Sequence, residues 1–263
     1  MHGSQDKLAV SREKVYEHLG ITIYFSLKLG VTFIRHDFIK KFWLWLPLEL
    51  GGPCRNNTAP EFLFKVDKDA KLVDQKHKYE HYATTAKSVY LSQISRPGMK
   101  LAAGFHCARV KKPDAHDWNK LCRVMGCVWK TRNLPLKIVI DGDGDVHIYV
   151  DGAHAIYDGG KCESGLFFNV RRGSMINQSK KLGVVTVSST KAEIAFTGES
   201  FPKCAWFHYF RMSQGDVTKE DDLIQYDQSS IRMHKNSQYS TSKGAKHAHT
   251  RYFLQSTIFG TRN

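Results

Sequence analysis

The chain predicts a mixed α+β (α/β) architecture in three successive parts: a β-hairpin with a short helix, a basic helical stretch, and a mixed sheet with flanking helices. Three observations carry that expectation. Val146, Ile148 and Val150 alternate with His147, Tyr149 and Asp151, the period of two that a half-buried strand requires. Between Gln75 and Thr131 the apolar residues follow the helical period instead: Tyr82, Ala83, Ala86, Val89 and Tyr90, then Trp118, Leu121, Met125, Val128 and Trp129. Ahead of both, residues 21–26 and 31–34 are β-rich runs around a turn at residues 28–30.

The elements follow in order. The hairpin feeds a short helix from Asp37, and residues 42–50 (FWLWLPLEL) form a core segment or partly exposed interface. This run is too short for the roughly 18 apolar residues of a membrane span, and Pro47 and Glu49 interrupt it. Residues 51–60 carry Gly, Pro and Asn without apolar period and read as a linker. In the helical stretch Arg96-Pro97-Gly98 is a break, Asp114 is placed to cap the second helix, and the two tryptophans fit the core period. After the turn signature Asp141-Gly142-Asp143-Gly144, strands are expected at residues 146–151, 165–170, 174–179 and 184–188, joined as an antiparallel meander. A helix from Thr190, a strand at 223–226, a short helix at 230–235 and a last helix near His249 complete an α/β sheet with helices on its faces.

Composition narrows the partner. The chain has 263 residues, enough for one large or two modest domains, and 41% of them are hydrophobic. Lys plus Arg number 39 against 25 Asp plus Glu, a net charge of +14 that favours a polyanion such as nucleic acid. Ten basic residues and two acidic ones fall between Arg96 and Lys137. From these, Arg96, Lys111, Lys112, Arg123, Lys130 and Arg132 are the candidate nucleic-acid contacts, against the plainer reading of a solvated face. No apolar leader or membrane segment is expected, and six cysteines without a CxxC pair suit buried thiols in a reducing compartment, cytoplasmic or nuclear.

Four residues in the second half are candidate metal ligands, each carried by a separate element. Asp151 ends an apolar strand and precedes Gly152, although a turn-forming Asp is common there. Glu193 lies three residues after Thr190, which is also capping-box spacing, and a carboxylate on a metal cannot serve that cap as well. Asp227 ends a strand or caps the next helix, and His249 lies in a basic His-bearing stretch. Acidic groups from several elements are what two-metal phosphodiester hydrolysis needs.

The segments Tyr149-Val150-Asp151-Gly152, Ser188-Ser189-Thr190-Lys191-Ala192-Glu193, Gln225-Tyr226-Asp227-Gln228-Ser229, Lys235-Asn236 and residues 246–253 (KHAHTRYF) resemble the ribonuclease H domain of copia-type LTR retrotransposon polyproteins. Upstream, residues 18–21, Tyr90-Leu91-Ser92-Gln93 with Arg96-Pro97, Ala108-Arg109-Val110 and residues 118–132 are similar to the later part of the same reverse transcriptase. The resemblance implies a ribonuclease H-like mixed sheet over residues 138–263, truncated at its C-terminus. It also implies a thumb- or connection-like helical region over 57–137 and the end of a polymerase palm over 1–56. The implied reaction is metal-dependent hydrolysis of the RNA strand of an RNA·DNA hybrid with Mg²⁺, or Mn²⁺, held by Asp151, Glu193 and Asp227, with His249 as a further catalytic position.

The departures from that family bear on activity. Its third motif reads Gln-Asp-Asn-x-Ser, which puts Tyr226 where the acid belongs and Asp227 one residue on, facing the other side of a strand. His249 stands where the family has Asp. The Tyr-x-Asp-Asp turn of the polymerase lies upstream of the Leu-Gly motif, and nothing before Leu19 carries it, so the expectation is a fragment lacking its upstream polymerase segment, with ribonuclease activity weak or lost. The alternative is a non-catalytic basic remnant that binds nucleic acid, and a third is an ordinary interaction protein.

Overall fold

The computed structural model describes residues 14–26, 30–46, 58–139, 146–169, 173–215 and 222–225. The expected hairpin is a three-stranded meander: β1 (Val15–His18), β2 (Ile21–Ser26) and β3 (Gly30–Ile34). Helix α1 (His36–Trp45) follows and buries Ile39 and Phe42, while Leu44 on its far side stays exposed. The FWLWL run is thus split between core and surface, as helical period demands of consecutive apolar residues.

The helical stretch is α2 (Gln75–Ile94), a 3₁₀ turn over Pro97–Met99, α3 (Lys100–Arg109) and α4 (Ala115–Lys130). Pro97 cannot donate to α2, so the chain turns at the expected break. Asp114 caps α4 in a reciprocal box with Asp117: the Asp117 N–H donates to Asp114 Oδ1 at 2.8 Å, and the Asp114 N–H to Asp117 Oδ2 at 3.2 Å. Arg109 binds both carboxylates from α3, at 2.7 and 2.8 Å. Leu91, Phe105, Leu121, Val124 and Met125 form the interior of this region with Ile39 and Phe42 of α1. Trp118 is buried, and Trp129 is half-buried and stacks on Trp43 with centroids 4.5 Å apart.

After α4 the chain returns to the first sheet. Strand β4 (Leu136–Ile138) pairs antiparallel with β3, pairing Val31 with Ile138. Two glycines make room for it. A Cβ on Gly30 (φ +72) would lie 2.1 Å from the Ile138 carbonyl oxygen, and one on Gly173 (φ +88) would lie 1.9 Å from that of Lys137.

The second sheet contains β5 (His147–Tyr157), β6 (Lys161–Asn169), β7 (Ser174–Val185) and β8 (Asp222–Gln225), in the order β7-β6-β5-β8. The first three are antiparallel and β8 runs parallel to β5, which needs a crossover, supplied by helix α5 (Ser189–Ser213). This is the expected mixed sheet with a flanking helix. Two expectations change. The strands proposed at 174–179 and 184–188 are not separate, because β7 is one strand through Val185 with a register shift, and residues 161–164 belong to β6. Ile148, Val150, Leu166, Phe168 and Phe196 are buried between sheet and α5, each worth about 1.5–3 kcal/mol.

The helical region meets the uncovered face of this sheet. Phe64 packs edge-on to Tyr157 at 5.1 Å, and Lys100 Nζ donates to the Asn177 carbonyl oxygen at 2.5 Å. Among the described residues no helix is long and apolar enough to cross a membrane.

Candidate functional site

Alternation along β5 decides which side chains are available. Ile148 and Val150 face α5, and Gly152 continues that side, leaving Tyr149, Asp151 and Ala153 on the other face. A Cβ on Gly152 would fall 1.4 Å from Phe196 Cε2, so only glycine lets α5 lie this close to β5. Glu193 is three residues before Phe196 and therefore on the same side of α5, which carries its carboxylate to the Gly152 backbone.

The Gly152 N–H donates to Asp151 Oδ1 at 2.8 Å and to Glu193 Oε1 at 3.2 Å. Two of the four candidate ligands are thereby brought to one amide, although 42 positions separate them in sequence (193 − 151). Asp151 is exposed and Glu193 is 6% exposed. The capping-box expectation for Glu193 is corrected here. Ser188 is the N-cap of α5, and its hydroxyl accepts from the Lys191 N–H, so the cap lies two residues before Thr190 and Glu193 is not at the capping-box position. Strand β8 ends in the description at Gln225, paired with Val150, the residue before Asp151. Asp227 and His249 lie outside the described residues, as do Tyr226 and the helices expected at 230–235 and near His249. Among the described residues no three His, Cys, Asp or Glu side chains form a cluster suited to a metal ion.

The six basic candidates divide by location. Lys111, Lys112 and Lys130 are exposed. Arg123 lies over the Phe62 ring, and Arg132 covers Trp129 while donating to its carbonyl oxygen. Arg96 is turned inward, only 7% exposed, and its Nη2 donates to the Thr131 carbonyl oxygen at the end of α4. Lys120, counted in the same basic stretch, is likewise buried and binds the Lys65 carbonyl oxygen at 2.6 Å. Of the expected buried thiols, Cys127, Cys162 and Cys204 are buried, whereas Cys107 is exposed.

Sequence reasoning passed over one group. Glu163 on β6 is 4% exposed and accepts from the Tyr157 hydroxyl at 2.8 Å and from the Ser179 hydroxyl. Burial raises its pKa against the pull of those two donors and of Lys181, and burial beside Glu163 also pushes the Tyr157 phenol up. The signal was alternation across residues 161–164, which is weak because Lys161 and Glu163 are residue types depleted in strands.

Glu163 and Asp151 line one cleft of about 470 Å³ between the sheet's open face and the turn from the 3₁₀ segment into α3. The cross-strand register gives its floor as three rows: Tyr149, Phe167 and Asn177; then Asp151, Gly165 and Ser179; then Ala153 and Glu163. Pro97, Gly98, Lys100 and Leu101 form the opposite wall.

No protein-family model matches this chain. Comparison with curated proteins finds no match either. Among solved structures, ribonuclease H1 from the halophilic archaeon Halobacterium salinarum NRC-1 is similar, at 18% identity and a TM-score of 0.34, over 45% of this chain and 81% of that one.

Proposed function

We propose that the chain is a remnant of a copia-type reverse transcriptase and ribonuclease H polyprotein, whose second half acts, weakly if at all, on the RNA strand of an RNA·DNA hybrid. The observation that carries the reading is the convergence of Asp151 and Glu193 on the Gly152 N–H. Their oxygens suit a hard divalent cation such as Mg²⁺, and Mn²⁺ better tolerates imidazole from His249. Asp151 and Glu193 would hold that ion, with Asp227 and His249 the sequence candidates for the remaining positions. Such an ion, when bound, lowers the pKa of a water and offsets charge on the leaving oxygen. The protein's own part is orientation. The Gly152 amide fixes one oxygen of each acid, and the exposed Lys111, Lys112 and Lys130 supply attraction for phosphates.

Incubation with a labelled RNA·DNA hybrid in Mg²⁺ and in Mn²⁺ tests this. Cleavage that disappears in both Asp151→Asn and Glu193→Gln is expected. Cleavage that survives them sinks the assignment. If the native chain is inactive, Tyr226→Asp with Asp227→Asn should restore cutting, because the substitution returns the acid to the family register. Continued inactivity of that double variant favours the non-catalytic reading, in which binding persists and falls about 10³-fold between roughly 50 and 200 mM salt.

A further inference from the structure

The three-row floor of the cleft is uneven in a way that suits one kind of ligand. Its first row is aromatic, with Tyr149 and Phe167 rings 6.1 Å apart and Phe167 open to solvent. Its second row has no side chain at the centre, since the central position is Gly165. A Cβ there would meet nothing closer than the Asp151 carbonyl oxygen at 3.5 Å, an ordinary contact, so Gly165 is not required by packing and leaves a flat recess beside the rings.

One end of the recess is positive. β7 is an edge strand, and two lysines reach adjacent residues of it from opposite sides of the sheet. Lys100 of α3 donates to the Asn177 carbonyl oxygen, and Lys203 of α5 donates to Gln178 Oε1. Neither has an ion-pair partner among the described residues. Burial lowers the Lys100 pKa, and the charge of Lys203 lowers it further, so an anion placed between them relieves repulsion. Strands lie about 4.8 Å apart, so the recess over β6 and the lysines at the β7 edge are separated by about the distance from a base to its phosphate.

We propose that this cleft binds one unpaired nucleotide, its base over Gly165 against Tyr149 and Phe167 and its phosphate between Lys100 and Lys203. The inference deepens the nucleic-acid reading above and rests on it. A planar ring is what the aromatic row selects, and a single phosphate is what the two lysines select. The volume falls in the range of small-molecule pockets.

The test measures binding without divalent metal, so that cutting does not enter. A fluorescent single-stranded RNA octamer, the fully paired RNA·DNA hybrid of the same sequence, and free uridine and adenosine monophosphates are titrated against the full chain and its variants. Gly165→Leu, which fills the recess, and Phe167→Ala, which removes its wall, should each weaken octamer binding about tenfold and hybrid binding clearly less. Phe167→Ala keeps the question answerable if Gly165→Leu does not fold. The double variant Lys100→Met with Lys203→Met should reduce the salt slope by about one phosphate's worth. Competition by the monophosphates assigns the site to free nucleotides, and competition only by the octamer assigns it to a strand. Octamer binding indifferent to both cleft variants overturns the inference, as does an equal loss for the hybrid. Hybrid cleavage without single-strand affinity overturns it while leaving the nuclease reading intact, and cleft binding without cleavage in any metal does the reverse.

Discussion

The helical region and the α5-covered sheet solve opposite problems with their polar residues. Between α2 and α4, polar groups are drawn inward: the charged Asp114, Asp117, Arg96 and Lys120 and the imidazoles of His81 and His106 are all buried. In the sheet, the covered face is apolar and polar groups are gathered on the open face with Asp151 exposed. Basic residues in sequence therefore do not all mark a solvent-facing surface. Arg96, Arg109 and Lys120 serve backbone carbonyls and buried acids, while Lys111, Lys112 and Lys130 stay exposed.

Four substitutions or conditions sharpen that contrast, beginning with the largest effect. Removing the guanidinium in Arg109→Met leaves two nearly buried carboxylates without their cation, and a loss of about 3–5 kcal/mol is expected by urea unfolding. A loss under about 1 kcal/mol would mean that the inward charges are not structural. In the sheet the corresponding break is steric. Gly152→Ala forces Phe196 out of place and should cost about 3 kcal/mol or more, together with any cleavage. Phe196→Leu added to it should recover part of the stability.

Acid should act on the helical region next. The His81 pKa is lowered to about 4 by burial and then by Arg109, and that of His106 well below its ordinary value by burial and then by His81. Their rings meet at 3.2 Å between Nε2 and Nδ1. Both titrate lower folded than unfolded, so below about pH 6.5 the unfolded chain binds more protons. Their stabilisation is complete above that pH and is lost toward pH 4, by at most about 1.4 kcal/mol per pH unit per histidine. Glu163 and Asp117, whose pKa values are raised, have the reverse sign. Comparing urea midpoints from pH 7 to pH 5 in the native chain and in His81→Gln isolates the histidine share, and equal slopes would remove it. The smallest effect is at the surface. Lys111→Gln and Lys112→Gln should leave stability within about 0.5 kcal/mol, and each should reduce the salt slope of nucleic-acid binding by about 1.

What the sequence made legible was local. The alternation about Val150 placed β5 and the exposure of Asp151, and Arg96-Pro97-Gly98 placed the break between α2 and α3. Charged residues inside strands obscured the rest. Lys180 and Lys181 interrupt the apolar pattern of β7, which therefore read as two strands, and Glu163 sits where no strand was expected. The meeting of Glu193 with Asp151 was hidden for another reason. It depends on Phe196 lying over Gly152, a close approach between helix and strand that no spacing along the chain announces. The inward turn of Arg96 and Lys120 was equally tertiary, since their acceptors are the Thr131 and Lys65 carbonyl oxygens.

Strand β4 gives this architecture an order of events. The hairpin of β1, β2 and β3 is built from neighbouring residues, but the strand that completes its sheet is synthesised only after the whole helical region, about a hundred residues later. Closing so long a loop costs about 4 kcal/mol of chain entropy in a flexible polymer, a cost met here only once α1 to α4 have collapsed and shortened the gap. During synthesis, then, β3 waits with an open edge able to pair with another nascent chain. The arrival of residues 136–138 covers that edge of β3 and moves the sheet's boundary to β4.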